Sequence, residues 1–170
     1  MKWQKLAAAA LAAFALFACT APSSGPSQGT YTVSFPSTAA AVATDTVQLL
    51  LFDVPQAPAD RAEFCQTLIQ ERKRADTQRQ PSLSNQPVNI CELLLGRKPL
   101  TIPYGEAAVL AIARHKGTDL MTGCVIQTFG DGDAPVDIPL ALVDVGVAIP
   151  ATDCTRVADF CAQPQKCTAQ

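Results

Sequence analysis

His115 is the only imidazole in the chain, so any histidine-based triad or histidine-ligated metal site must be built on it. Arg114 and Lys116 flank it and Gly117 follows, which predicts an exposed strand end and not an acid–base cluster. Asp131 and Asp133 around Gly132 offer oxygens of the kind a calcium loop uses. The same residues suit a hairpin turn for backbone reasons, and no Glu completes the EF-hand spacing. Ser82 and Ser84 sit in a polar stretch without a nucleophile-elbow pattern. The remaining chemistry belongs to cysteines at 19, 65, 91, 124, 154, 161 and 167. None forms the close CxxC-type pair a thiolate zinc site needs, so the expectation is no metal, no cofactor and no catalytic group.

Short strands and one helix must position these side chains. Tyr31, Val33 and Phe35 alternate with Thr32 and Ser34 until Pro36, the period-two pattern of a half-buried strand. Ser37 to Thr44 is an alanine-rich connector. Thr46 to Val54 places Val47, Leu49 and Leu51 on one face and Leu50 and Phe52 on the other, as a central strand does, and Pro55 and Pro58 end it. Asp60 followed by Glu63 has the form of a capping box for a helix from about Arg61 to Arg74, an insertion at about 59–75, with Phe64, Cys65, Leu68 and Ile69 on one side. Arg72, Lys73 and Arg74 complement its dipole and are expected in solvent. Asp76 to Asn89, with Pro81 and Pro87, predicts an exposed excursion tied back by Cys91.

Glu106 to Lys116 alternates like a strand, although its alanines suit a helix by propensity. The turn Pro103 to Gly105 before it and the hairpin turn Lys116 to Asp119 after it favour a strand, paired with Met121 to Thr128. Gly130 to Asp133 is a further turn, leading to a strand region from Val136 to Val147. The whole predicts a mainly β, antiparallel sandwich. Residues 148–170, with Pro150, Pro164 and three cysteines, predict a loop-rich tail stapled to it.

At the N-terminus, Lys2 and Lys5 precede an alanine-rich apolar run from Leu6 to Phe17, and Ala18 is small: the layout of a secretory signal. That run is shorter than the about 20 residues a helix needs to cross a bilayer, and Pro22, Ser23, Ser24, Gly25 and Pro26 follow at once. Leu16-Phe17-Ala18-Cys19 resembles the lipobox of bacterial lipoproteins. The resemblance implies that Cys19 carries a thioether-linked diacylglycerol, that signal peptidase II cuts before it, and that its freed amine is acylated by a chain of the palmitate class. Thr20, where an Asp would favour the inner membrane, implies the outer membrane. Chain organisation then reads as a signal peptide over 1–18, a flexible tether over 19–30, a β-sandwich with the helical insertion over 31–147 and the tail over 148–170.

The full chain has 13 basic and 15 acidic groups; Lys2 and Lys5 leave with the signal, and the remainder is formally −4. No basic face for nucleic acid is visible, and anionic membrane surfaces are likewise poor electrostatic partners. With Cys19 assigned to lipid, Cys65, Cys91, Cys124, Cys154, Cys161 and Cys167 remain, an even set suited to an oxidising compartment. Their connectivity stays open. Three lie in the body and three in the tail, so if all pair, an odd number of bridges must join the two.

The run Leu100-Thr101-Ile102-Pro103-Tyr104-Gly105, an apolar strand, a Gly turn and a second strand ending Val136-Asp137-Ile138-Pro139-Leu140 resembles the prealbumin-like, carboxypeptidase-regulatory-like sandwich domains of bacterial surface proteins. The resemblance implies an Ig-like or prealbumin-like fold over 31–147. The helical insertion and the cysteines depart from it. Transthyretin-related hydrolases of the wider superfold end in a Tyr-Arg-Gly-Ser motif, whereas this chain ends Cys-Thr-Ala-Gln, so their activity does not carry over. The expectation is a non-enzymatic, lipid-anchored envelope module that binds another envelope or surface protein or serves as a structural part. A small-ligand or glycan-binding lipoprotein would need a concave aromatic-lined pocket, and a hydrolase a cleft in which His115 meets a carboxylate.

Overall fold

Two strands that bury both faces organise the body of the protein, seen in a computed structural model that describes residues 29–74, 79–130, 135–149, 151–163 and 167. The signal, Cys19 and the tether through Gln28 lie outside the described residues, as do Asp131, Asp133, Pro150 and Pro164. In chain order the elements are β1 (Tyr31–Ser34), α1 (Thr38–Val42), β2 (Thr46–Phe52), α2 (Pro58–Arg74), β3 (Leu83–Ser84), β4 (Val88–Asn89), α3 (Ile90–Leu94), β5 (Gly105–His115), β6 (Thr118–Phe129), β7 (Val136–Pro139), β8 (Ala141–Leu142) and α4 (Val157–Ala162).

The alanines of β5 are a strand choice because large residues of β2 stand opposite them. Leu49 pairs with Ala111, Val47 with Ala113 and Phe52 with Ala108, all buried, so small and large side chains alternate across the ladder. Lys116 and Gly117, with φ of 48° and 79°, form the two-residue turn from β5 to β6, and both positive angles match a type I′ hairpin. The expected hairpin is therefore present, with a tighter turn: Thr118 and Asp119 already belong to β6.

The mainly antiparallel sheet runs β3-β2-β5-β6-β8, with β4 also on β2. The stretch expected as an exposed excursion is more than that. Leu83 pairs with Leu51 and Val88 with Val47, so β3 and β4 close the outer edge of β2. Helix α2 covers one face, where Phe64 and Leu68 pack on Phe52, Ala108, Leu110 and Ile112. It begins at Pro58, not at Arg61. Proline lacks the N–H that a first helical residue leaves unbonded anyway, and the Arg61 N–H donates to the Ala57 carbonyl at 3.1 Å. Asp60 thus lies in the first turn, where its charge suits the dipole, and the expected capping box does not form.

The opposite face carries the larger core, Val47, Leu49, Leu51, Val109, Ala111, Ala113 and Met121 among others. Over it lie α1, α3, α4 and a separate parallel pair, β1 with β7, in which Tyr31 stands beside Val136 and Ser34 beside Pro139. The expected strand over Val136 to Val147 is accordingly split: β7 goes to β1 and β8 returns to β6. Gly123 marks the crossing, since a Cβ there would stand 2.1 Å from the Pro139 carbonyl oxygen. The connector after Pro36 contains α1, capped by the Ser37 hydroxyl, which accepts from the Ala40 N–H at 3.1 Å.

Three disulfides close the body: Cys65–Cys124 ties α2 to β6, Cys91–Cys161 ties α3 to α4, and Cys154–Cys167 lies within the tail. One bridge joins tail to body, as the parity of the cysteines requires. Among the described residues no helix is long and apolar enough to cross a membrane.

Candidate functional site

Three places bring polar or exposed side chains together. The first is built on His115, the last residue of β5. Antiparallel register puts the loop before β2 beside it, and His115 Nδ1 lies 3.7 Å from Asp45 Oδ2, beyond hydrogen-bond distance. The histidine is half-buried, not exposed as its neighbours suggested, and its Nδ1 has no hydrogen-bond partner among the described residues. Asp45 is held three ways. Its N–H donates to the Arg114 carbonyl at 2.8 Å, its carbonyl accepts from the Ile90 N–H at 3.1 Å, and its carboxylate accepts the N–H of Lys116 in the hairpin turn. The pair opens into a cleft of about 290 Å³ walled by Val42, Ala43, Thr152 and Phe160. Thr152, the one hydroxyl in that wall, accepts from the Cys154 N–H at 3.2 Å, and Cys167 there is disulfide-bonded. A His–carboxylate pair is present, but its neighbours supply no free thiol.

A second network crosses the sheet under the C-terminal end of α2. The register of β5 against β6 shifts after Ala113, leaving Leu120 as an extra residue and setting Asp119 opposite Arg114. Asp119 accepts from Arg72 Nε at 2.6 Å and Nη2 at 3.0 Å, and from Arg114 Nε at 3.1 Å. Arg114 donates in turn to Gln48 Oε1 at 2.8 Å, and Gln48 donates to the Asn85 carbonyl at 2.9 Å. The hydrogen bonds to Asp119 hold the Arg72 guanidinium above its ordinary pKa, with burial opposing them. Arg72 is therefore not the solvated end-cap its sequence position suggests; it is an inter-element tie.

The third place is an apolar groove of about 470 Å³ where the described chain begins. Gly29, Thr30, Tyr31 and Val33 line one side and Leu93, Leu94, Pro99 and Leu100 the other. Tyr31 is its only aromatic residue. The phenol oxygen accepts from the Leu100 N–H at 2.8 Å; burial raises the Tyr31 pKa and this hydrogen bond opposes the rise.

The serines singled out by sequence serve the fold. Ser82 Oγ donates to the Leu51 carbonyl at 3.1 Å, and Ser84 Oγ accepts from Gln48 at 3.2 Å. Cys19, Asp131 and Asp133 fall outside the described residues. Among the described residues no three His, Cys, Asp or Glu side chains gather as a metal site would need. Asp45, Asp119 and the α3 side of the groove were not singled out from sequence. Their partners are 70, 5 and more than 60 residues away, and only the bulge beside Asp119 had a local signal, the Arg–Asp pair around a Gly turn. Compared with protein-family models, with curated proteins and with solved structures, the chain matches none of them.

Proposed function

We propose that this chain is a lipid-anchored lipoprotein of the bacterial cell envelope, held by acyl chains on Cys19 and, by its Thr20, in the outer membrane. Its body acts as a non-enzymatic binding or structural module for another envelope or surface protein. The observation that supports this most is the pairing of all six cysteines of the body and tail, a chemistry of oxidising compartments. The non-enzymatic reading draws on Arg72 and Arg114 being occupied by Asp119 and on Ser82 and Ser84 being hydrogen-bonded within the fold. The fold reading that accompanies it is a prealbumin-like sandwich with a reduced second layer, the β1–β7 pair, whose parallel pairing is its departure from the pattern.

Envelope fractionation with cross-linking tests the reading. The wild-type chain is expected in the membrane fraction with a reproducible cross-linked protein, and Cys19→Ser is expected to leave the membrane and lose that product. Equal distribution of both forms contradicts it.

A second reading, hydrolysis, is favoured by one observation: His115 Nδ1 lies 3.7 Å from the Asp45 carboxylate in a cleft, near but not hydrogen-bonded to it. Turnover of small esters that disappears in His115→Ala would establish it. The glycan-binding alternative finds less support, because the walls of the larger groove are aliphatic except for Tyr31.

A further inference from the structure

We propose that Leu94-Leu95-Gly96-Arg97-Lys98 is a second membrane contact, in which the two leucines enter the boundary between headgroups and acyl chains of a phospholipid bilayer and the two cations meet lipid phosphates. The proposal rests on the anchored reading above and names the surface the anchored body turns toward its bilayer. Among the described residues large apolar side chains are mostly buried; Leu94 and Leu95 are 40% and 45% exposed and adjacent, at the end of α3. Gly96, with φ of 67°, ends the helix in the left-handed region and adds no side chain. Arg97 and Lys98 follow, both exposed. Lys98 lies 3.3 Å from Glu92, while Arg97 has no ion-pair partner among the described residues, so the patch is locally cationic on an acidic chain. Whole-chain charge conceals this, since attraction to a headgroup layer falls off within a Debye length and is decided by the charges nearest it.

The backbone N–H groups of the loop are bonded within the protein. Leu95 N–H donates to the Cys91 carbonyl, Gly96 N–H to Leu93, and both Arg97 and Lys98 N–H to Glu92, all between 2.8 and 3.1 Å. Pro99 has no N–H, and that of Leu100 goes to the Tyr31 phenol. Every N–H from 95 to 100 is thus satisfied within the protein, which halves the backbone cost of lowering the loop, and the carbonyl oxygens of 95–99 keep it at the hydrated headgroup boundary, short of the hydrocarbon core. The bridge Cys91–Cys161 fixes α3 just before the leucines. Position follows from the covalent chain. Gly29 shares the groove with Leu94, Gly96 and Pro99, and Cys19 lies ten residues before Gly29. Ten residues reach at most about 35 Å fully extended, so an acylated Cys19 limits Gly29, and the groove it shares with this loop, to within that distance of the bilayer.

The only tryptophan, Trp3, lies in the signal, which makes the loop directly observable. The processed protein carrying Leu95→Trp, purified from bacterial membranes, is reconstituted into phosphatidylethanolamine–phosphatidylglycerol vesicles with and without brominated acyl chains. Val145→Trp, at a fully exposed position, serves as the reference. The expected result is blue-shifted emission at position 95, quenched by bromolipid, with position 145 unaffected, and loss of the quenching in Arg97→Glu with Lys98→Glu while the protein still floats with the vesicles. Protein that floats but leaves position 95 unquenched overturns the proposal and spares the anchor. Emission that is blue-shifted yet unquenched means a second copy or another protein covers the leucines, and also overturns it. Protein that does not float removes the anchor reading and the proposal with it.

Discussion

The phenol of Tyr31 ties the first strand to the loop before β5, and its burial makes that tie sensitive to alkali. Its folded-state pKa is raised, so the folded protein holds the proton longer than the unfolded chain. The stabilisation is fully present below the unfolded value of about 10 and is lost as pH rises through the folded value. Urea midpoints taken from about pH 9 upward should therefore fall more in wild type than in Tyr31→Phe. That variant should also lose about 1 kcal/mol at neutral pH, because the Leu100 N–H is left without its acceptor. Asp119 is the other residue on which several elements depend. Asp119→Asn leaves the Arg72 and Arg114 guanidinium groups, both part-buried, without their anion and should destabilise by about 2 kcal/mol in the same measurement. Restoring much of that loss by removing Arg72 as well would show that the penalty is the unpaired charge.

At the scale of elements, the sheet and α2 are joined by covalent and steric devices that single residues can probe. Replacing Cys65 and Cys124 together by alanine frees a separation of 59 residues between α2 and β6 and should cost about 4 kcal/mol by the chain-entropy relation, read from urea unfolding under non-reducing conditions. Gly123→Ala sets a methyl against the Pro139 carbonyl and should cost about 1–3 kcal/mol, with hydrogen exchange rising first in β7 and β8. These elements differ in how far the sequence disclosed them. The alternation of Val47, Leu49 and Leu51 and the apolar side of α2 are local periodicities, and both appear as read. The start of α2 set two local signals against each other, and the proline prevailed over Asp60. The pairing of Tyr31–Ser34 with Val136–Pro139 joins segments more than 100 residues apart in parallel, and neither carries a mark of its partner. The sites suffered from the same limit. His115 could be named from composition, but Asp45 becomes its neighbour only through the β2–β5 register, and Asp119 reaches Arg114 only through the bulge at Leu120.

In the whole molecule a disulfide-closed body follows an N-terminal segment for which we propose the role of a membrane address. Body and tail together carry six paired cysteines, Arg72 and Arg114 are matched by Asp119, and an exposed leucine pair lies at the end of α3. An anchored protein of this kind needs no membrane-spanning helix, because buried acyl chains contribute about 0.8 kcal/mol per methylene and more than one chain makes the attachment stable. The proposed attachment thus depends on one atom, the sulfur of Cys19. Mass spectrometry of the N-terminal peptide of the protein purified from bacterial membranes tests it most directly. The expected protein begins at Cys19, with a diacylglyceryl group on the sulfur and a further acyl chain on the amine; an unmodified thiol at Cys19, or a chain that begins at another residue, would rule out the proposed anchor.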